Sequence, residues 1–235
     1  LTLTLAINTL LAQRLVENLS RGVVAVRNNS KTVFVSWRLL PHDPANIGFN
    51  IYRSTAGATP VKLNATVLTQ GTNYEDSGAD LTKENSYTIR PVINDIEVQT
   101  SKAFSLSANH AYEPCVVVPL RTGVLIHFVW VGDLTGDGEY DFVVDRLDWT
   151  NANCKIEAYK SDGTFLWQLD YGKNSSNMDN IEPGSSAIDL GMWDGVTVYD
   201  VNNDGKAEVI TKIANGVIFG DGNTWTNSSD TKQWI

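Results

Sequence analysis

Residues 132–141 read GDLTGDGEYD, and residues 200–208 repeat the same pattern as DVNNDGKAE. We call residues 133–141 the first loop and residues 200–208 the second loop. Both follow the pattern D-x-[TN]-x-D-G-x-x-[DE], with oxygen-bearing side chains at positions one, three, five and nine. A glycine at position six allows the sharp turn that a chain makes around a bound ion. Oxygen ligands at this spacing are typical of a calcium-binding loop.

The two loops supply matching sets of predicted calcium ligands. An EF-hand would also need a bidentate glutamate at position twelve and a helix on each side, but Val144 and Thr211 occupy that position here. The alternative is that these Asp-Gly segments are ordinary surface turns. The predicted ligands are Asp133, Thr135, Asp137, Asp141 and the Glu139 carbonyl in the first loop, and Asp200, Asn202, Asp204, Glu208 and the Lys206 carbonyl in the second.

The sequence after each loop predicts a β-strand. Residues 142–144 and 209–211 are apolar or β-branched, which is typical of a buried strand. The two loops begin 67 residues apart. Repetition at a fixed interval indicates stacked units such as propeller blades, which are roughly 40–50 residues long without insertions. Residues 155–167 add an alternating strand, an Asp-Gly turn and an aromatic strand, as expected for the outer hairpin of a blade.

Composition and motifs exclude several functional classes. The chain has 18 lysines and arginines against 27 aspartates and glutamates, a net charge of −9, which disfavours binding to nucleic acid. No run of about 18 apolar residues is present, so no membrane-spanning helix is predicted. The sequence contains no phosphate-binding loop, dinucleotide fingerprint or G-x-S-x-G motif. The histidines, His42, His110 and His127, are scattered and form no ligand set.

Residues 1–14 resemble the apolar part of a secretory signal that lacks its initiating methionine and basic start, with cleavage near Ala12. The alternative is an amphipathic helix that continues to Leu19. We therefore expect a secreted, extracellular protein whose sequence is incomplete at its front. In an exported protein Cys115 and Cys154 are able to form a disulfide, but two cysteines alone do not establish the pairing.

Residues 15–108 predict an antiparallel β-sandwich. Apolar residues alternate with polar ones from residue 32 onward, which indicates strands with one buried face. A tight turn is predicted at Asn94-Asp95, and residues 105–110 are predicted to be the linker that ends the domain. Side chains predicted to face the core are Val33, Val35, Trp37, Leu39, Phe49, Ile51, Tyr87 and Ile89, whereas Thr32, Ser36 and Arg38 are predicted to face outward.

Several strings resemble one enzyme family over nearly all of residues 20–235. RGVVAV at 21–26, VSWRLL at 35–40 and FNIYR at 49–53 closely resemble the opening domain of the rhamnogalacturonan lyases of polysaccharide lyase family 11. The two loops and their flanks resemble that family's propeller segments. The resemblance implies an all-β fold in which a fibronectin-III-like sandwich precedes an eight-bladed, calcium-binding propeller. Residues 109–235 would then hold only the first blades.

The same resemblance implies the reaction, which is β-elimination in the galacturonate–rhamnose backbone of rhamnogalacturonan I in pectin. Basic residues late in the family's propeller are thought to transfer the proton, so we expect the catalytic base to lie beyond Ile235. No catalytic residue is therefore assigned in this chain, and the chain alone is expected to be inactive. We also expect it to be a monomer that binds the polysaccharide and neither nucleic acid nor a membrane.

Candidate substrate-binding residues flank the two repeats. An aromatic face beside carboxylates suits a sugar ring, although the two tryptophans are equally suited to packing between blades. Two other functions remain as alternatives: a non-catalytic calcium-binding propeller of the adhesion type, and a carbohydrate-binding protein without lytic activity. The strings in the sandwich favour the lyase over the adhesion-type propeller, whereas the carbohydrate-binding alternative stays open for the chain by itself. The candidates are Arg146, Asp148, Trp149, Trp193 and Asp194.

Overall fold

The computed structural model describes residues 17–123, 125–146, 154–172, 196–211, 213 and 216–226. Every regular element in these residues is a β-strand, so the fold class is all-β as predicted. Within the described residues we find no helix of the length and hydropathy needed to cross a membrane. The predicted signal segment, residues 1–14, lies outside the described residues.

The first part of the chain forms two antiparallel sheets. One has the strand order β1-β2-β5, and the other has the order β4-β3-β6-β7 with β8 also paired to β6. The strands are β1 (Val24–Arg27), β2 (Val33–Ser36), β3 (Gly48–Thr55), β4 (Val61–Lys62), β5 (Asn73–Asp76), β6 (Asn85–Ile93), β7 (Ile96–Glu97) and β8 (Phe104–Leu106).

These two sheets share one apolar core. Val33 and Val35 of β2 are fully buried, as are Ile51 of β3 and Ile89 of β6, which confirms the predicted inward faces. Leu39 is 61% exposed, so the prediction that it faces the core is wrong. The physical reason is that β2 ends at residue 36, and the alternation of faces ends with the strand.

Two further local predictions were tested at the ends of strands. Thr32, predicted to face outward, is buried because its hydroxyl donates to Asn28 Oδ1 at 2.6 Å inside the β1–β2 turn. The Asn94-Asp95 turn between β6 and β7 is confirmed, with φ of 48° and 64° at these two residues. Positive φ at both central positions is the geometry that two-residue hairpins favour. The linker begins later than predicted, because β8 extends to Leu106.

The second part forms a six-stranded antiparallel sheet with the order β16-β15-β12-β11-β10-β9, beside a separate β13-β14 hairpin. The β11–β12 hairpin is the one predicted around Asp162-Gly163, and Gly163 adopts a φ of 86° that favours glycine. The strands are β9 (Val129–Gly132), β10 (Asp141–Arg146), β11 (Lys155–Tyr159), β12 (Phe165–Asp170), β13 (Thr197–Tyr199), β14 (Glu208–Ile210), β15 (Val217–Ile218) and β16 (Thr224–Trp225).

A second core lies between this sheet and the β13–β14 hairpin. Val143, Ile156 and Val217 are fully buried in it, and Val198 and Val209 of the hairpin pack against them. Cys154 is buried in the same core whereas Cys115 is exposed, and no disulfide joins the two in this structure.

Candidate metal centre

The two loops close two hairpins in the same way. The first loop joins β9 to β10, and the second joins β13 to β14. In each hairpin the residue before the loop pairs with position nine of the loop, Gly132 with Asp141 and Tyr199 with Glu208. Both loops therefore lead into strands, and the sequence repeat corresponds to a structural repeat.

In the first loop, Asp133 organises the backbone. This residue is fully buried. Its Oδ1 accepts the N–H groups of Gly136 at 2.7 Å and Asp137 at 3.0 Å, and its Oδ2 accepts the N–H of Gly138 at 2.7 Å. Gly136 and Gly138 have φ of 73° and 86°, which explains why glycines occupy these positions. The loop is thus folded around one buried carboxylate.

The end of the first loop is also buried. Asp141 is only 2% exposed, and its Oδ2 accepts the N–H of Thr135 at 3.0 Å. Burial raises the pKa of the Asp141 carboxyl, and the neighbouring charges of Asp137 and Asp133 raise it further. Thr135 Oγ1, one of the predicted ligands, is buried and makes no hydrogen bond. A buried oxygen without a partner beside two buried carboxylates suits a cation ligand.

The second loop repeats this internal pattern. Asp200 is fully buried, and its carboxylate accepts the N–H groups of Asn203 at 2.6 Å and Gly205 at 3.0 Å. Glu208 at position nine accepts the N–H of Val201 at 2.9 Å through Oε2. In both loops the carboxylate at position five accepts the N–H of position seven, at 3.0 Å in the first loop and 2.9 Å in the second.

Within the part of the chain that the structure describes, the buried carboxylates Asp133, Asp141 and Asp200 form no ion pair with a lysine, arginine or histidine. Asp137 is different, because Lys160 Nζ lies 2.8 Å from its Oδ2 and lowers the pKa of that carboxyl. Buried charges are ordinarily paired or bound to metal. The first and ninth positions of the first loop therefore lack a positive partner.

The described side chains of the loops are not arranged as a complete metal-coordination site. No three histidine, cysteine, aspartate or glutamate side chains in the described residues converge on one point as metal ligands would. Their oxygens point instead to backbone N–H groups and to Lys160, as described above. The donor set nevertheless has the chemistry that calcium prefers, namely carboxylate, hydroxyl, amide and carbonyl oxygens. Calcium would draw these oxygens together from their positions here.

The two loops lie side by side. The N–H of Ala207 donates to the carbonyl of Asp133 at 2.8 Å. A Cβ added at Gly132 would lie 2.6 Å from Val198 Cγ1 and 2.8 Å from Ala207 Cβ, so only glycine allows this approach. Glu17 lies near both loops, and its Oε1 accepts the N–H of Asp133 at 3.2 Å. Burial raises the pKa of Glu17, and the charges of Asp133 and Asp200 add to the effect.

Residues of the first two sheets also contact the first loop. The N–H of Ser20 donates to the Gly138 carbonyl at 2.7 Å, and Lys102 Nζ donates to the Asp137 carbonyl. Arg38 lies against the loop and stacks on the ring of Tyr140 at 4.2 Å. Sequence reasoning missed these contacts, and no local pattern could have revealed them, because the partners are far apart in the chain.

The predicted substrate-binding residue Arg146 is buried at the end of β10. Its side chain is 7% exposed, and Nε donates to Glu157 Oε2 at 2.7 Å. Nη2 donates to the Arg121 carbonyl at 2.8 Å, so the guanidinium holds that segment against the sheet. The assignment of Arg146 to substrate binding stays a prediction. The other candidates, Asp148, Trp149, Trp193 and Asp194, lie outside the described residues.

Comparison with known proteins identifies the family. The family model for the rhamnogalacturonan I lyases beta-sheet domain matches residues 14–106, and the model for the rhamnogalacturonan lyase family 11 C-terminal domain matches residues 127–233. The chain belongs to rhamnogalacturonan lyase family 11. The two family models together cover both parts of the chain described above.

Two relatives of the family 11 chain come from Bacillus subtilis (strain 168). Rhamnogalacturonan endolyase YesW is 34% identical over 93% of this chain, and rhamnogalacturonan exolyase YesX is 30% identical over 89%. The crystal structures of YesX and YesW superpose with TM-scores of 0.72 and 0.70 at 28% and 32% identity, covering 94% and 92% of this chain. The family 11 chain spans about a third of the length of these relatives, 34% in both sequence comparisons.

Proposed function

We propose that this family 11 chain works within a rhamnogalacturonan lyase that cleaves the galacturonate–rhamnose backbone of rhamnogalacturonan I by β-elimination. The observation that carries the proposal is the superposition of more than nine-tenths of the chain on two rhamnogalacturonan lyases. One relative is an endolyase and the other an exolyase, so the similarity supports the bond type and leaves the mode of attack open. The partner is the polysaccharide itself.

The elimination needs three functions. The C5 carboxylate of the uronate must be neutralised, a base must remove the C5 proton, and the leaving oxygen must be stabilised. Two described basic side chains beside the first loop are already engaged, Lys160 with Asp137 and Arg38 with Glu139. We therefore place the catalytic base in the part of a family 11 lyase that this chain does not cover. On this proposal the 235 residues by themselves do not catalyse the reaction.

The two loops are proposed calcium sites. Asp133 and Asp141 in the first loop, and Asp200 in the second, would supply carboxylate ligands that now lack a cationic partner within the described residues. When bound, calcium supplies the positive charge that compensates these carboxylates. The buried Thr135 hydroxyl, which makes no hydrogen bond, supports the first site in particular.

We further propose the architecture and location that this function requires. The strand orders β1-β2-β5 and β4-β3-β6, with β8 beside β6, support a fibronectin-III-like sandwich. The six-stranded sheet and the β13–β14 hairpin are proposed as the first blades of a propeller. Val129 and Val131 of β9 are 54% and 45% exposed. These apolar side chains support the packing of a further blade against β9 in the longer protein. We propose that the protein is secreted, because its proposed substrate, pectin, is an extracellular polysaccharide.

The lyase assay tests the activity directly. Release of unsaturated uronate from rhamnogalacturonan I is followed by absorbance, with calcium present. The 235-residue chain and the longest natural protein that contains it are compared, with YesW as a positive control. We expect product from the longer protein and none from the chain alone. Product from the chain alone would contradict the placement of the catalytic base outside this chain. Absence of product from the longer protein would favour a non-catalytic calcium-binding propeller.

A further inference from the structure

The first loop is contacted by three residues of the first part of the chain. We call Ser20, Arg38 and Lys102 the junction residues. Ser20 donates its N–H to the Gly138 carbonyl at 2.7 Å, and its hydroxyl donates to a Glu139 carboxylate oxygen. Lys102 Nζ donates to the Asp137 carbonyl. Three consecutive residues of the loop, 137–139, are thus held by the first part of the chain.

Arg38 is the centre of this junction. Its Nη1 donates to the carbonyls of Ser20 at 3.2 Å and Gly138 at 3.3 Å, and lies 3.5 Å from Glu139 Oε2. The guanidinium also stacks on the ring of Tyr140 at 4.2 Å. Its side chain is 23% exposed, so these contacts are only partly screened by water. Arg38 therefore fixes the residues on both sides of Glu139, whose carbonyl is a predicted ligand.

The second loop has no such support. Its side chains at positions three, five and nine are hydrogen-bonded to one another. Asn202 Nδ2 donates to Asp204 Oδ2 at 3.2 Å and to Glu208 Oε1 at 2.9 Å. These side chains are exposed, apart from Glu208, which is half-buried. Within the part of the chain that the structure describes, no junction residue bonds to it. A Cβ added at Gly205 would meet nothing within 4 Å, whereas one at Gly138 would lie 3.1 Å from the Ser20 nitrogen.

We propose that the junction residues position the first loop for its cation, so that docking of the first two sheets and cation binding at that loop are linked. This inference rests on the proposed calcium sites. A contact that orders a loop in its binding conformation removes part of the ordering cost from the binding step. Linkage is reciprocal, so the cation must strengthen the docking by the same factor. The second loop, which has no junction contact among the described residues, should respond less, and only through its contact with the first loop.

The test first measures calcium binding at each loop alone and then removes the Arg38 contacts at the junction. In the 235-residue chain, D200N leaves only the first loop able to bind, and D133N leaves only the second. Arg38→Gln is then added to each background and calcium affinity is measured by titration calorimetry. Arg90→Gln is the matched control, because Arg90 also stacks on a tyrosine at 4.2 Å and pairs with a glutamate at 3.0 Å, but lies away from the junction.

We expect Arg38→Gln to weaken binding at the first loop about tenfold, a typical coupling between linked sites. Binding at the second loop should change less than about twofold, and Arg90→Gln should leave both loops unchanged. Equal loss at both loops, or unchanged or tighter binding at the first, would overturn the linkage while leaving calcium binding intact. No calcium binding to the unmodified chain would overturn the proposed sites and the linkage together.

A second measurement uses the reciprocal effect and does not depend on affinity. Calcium should slow proteolytic cleavage of residues 107–123, which connect the sheets and contain no strand. The protection should be lost in Arg38→Gln and reduced in Ser20→Ala, which removes the hydroxyl contact to Glu139 and the hydrogen bond that the hydroxyl accepts from the Gly22 N–H. Full protection by calcium in both variants would contradict the linkage, even if Arg38→Gln lowered overall stability.

Discussion

Two buried carboxylates of the first part and those at the start of the two loops are compensated in different ways. In the first part Asp43 pairs with Arg21 at 2.5 Å, and Asp76 pairs with Arg53 at 2.5 Å. In the second part the fully buried Asp133 and Asp200 accept only backbone N–H groups among the described residues. Backbone dipoles satisfy the hydrogen bonds but leave the net charge uncompensated. Asp43 and Asp76 are thus paired with cations inside the first part, whereas the loop carboxylates are suited to an external cation.

The largest expected effect lies in the first part. Asp76 is 4% exposed, and Arg53→Met would leave its carboxylate buried without a cation. Tyr87 donates its hydroxyl to the same oxygen at 3.0 Å, which compensates the loss only in part. We expect the free energy of unfolding to fall by about 4 kcal/mol. Urea denaturation measures it, and adding Asp76→Asn should restore much of the loss. No recovery in the double variant would contradict this explanation.

A smaller loss is expected when the loop carboxylates are removed in chelator. Asp133→Ala removes an acceptor from the N–H groups of three residues, and Asp200→Ala from those of two. We expect losses of about 3 and about 2 kcal/mol, since charged hydrogen bonds contribute more than neutral ones. Equilibrium unfolding followed by tryptophan fluorescence measures both. A larger loss of unfolding free energy for Asp200→Ala than for Asp133→Ala would contradict the expectation that the Asp133 carboxylate contributes more to stability.

Contact between the two loops gives the next effect. At Gly132 a new methyl group would meet Val198 and Ala207 at under 3.0 Å, so Gly132→Ala should cost about 2 kcal/mol through overpacking. Gly71→Ala is the control, because its methyl group would meet only the Asn73 amide at 3.5 Å. Thermal unfolding compares the two variants. Equal melting temperatures would show that the hairpins are not packed tightly against each other.

The smallest effect is a pH dependence in the first part. The Tyr52 hydroxyl, then Arg90 and Asn50, lower the pKa of Glu97 from 4.5 to about 2, against the opposing effect of its partial burial. A lowered pKa adds stability above pH 4.5 that is lost as the pH falls towards 2. The contribution is about 1 kcal/mol or less, because the pair is partly exposed. Glu97→Gln should flatten this slope in acid titrations of unfolding, whereas exposed Glu84→Gln should not.

Features that depend on neighbours in sequence were predicted well. The loops, the strands after them and the Asp162-Gly163 turn all depend on hydrogen bonds and φ preferences within a few residues. The inward faces of β2, β3 and β6 followed from alternation alone. The error at Leu39 arose because alternation does not show where a strand ends, and Thr32 was misplaced because a turn hydrogen bond outweighed its position.

Features that depend on distant partners could not be predicted. Glu157, eleven positions after Arg146, accepts a hydrogen bond from the Arg146 guanidinium, and nothing near Arg146 in sequence indicated this buried ion pair. Arg38 was correctly expected to leave the core, yet nothing near it in sequence indicated Tyr140 as its partner. The family resemblance supplied the reaction, which the local chemistry of these residues does not specify.

The central claim is that the two loops are calcium sites, and counting bound metal tests it most directly. The 235-residue chain is dialysed against calcium at equilibrium, and protein-bound calcium is measured by atomic absorption. We predict two calcium ions per chain, one in D133N, one in D200N and none in the double variant, matching the ligand sets of the two loops. Bound calcium in the unmodified chain no higher than in the double variant would contradict the account.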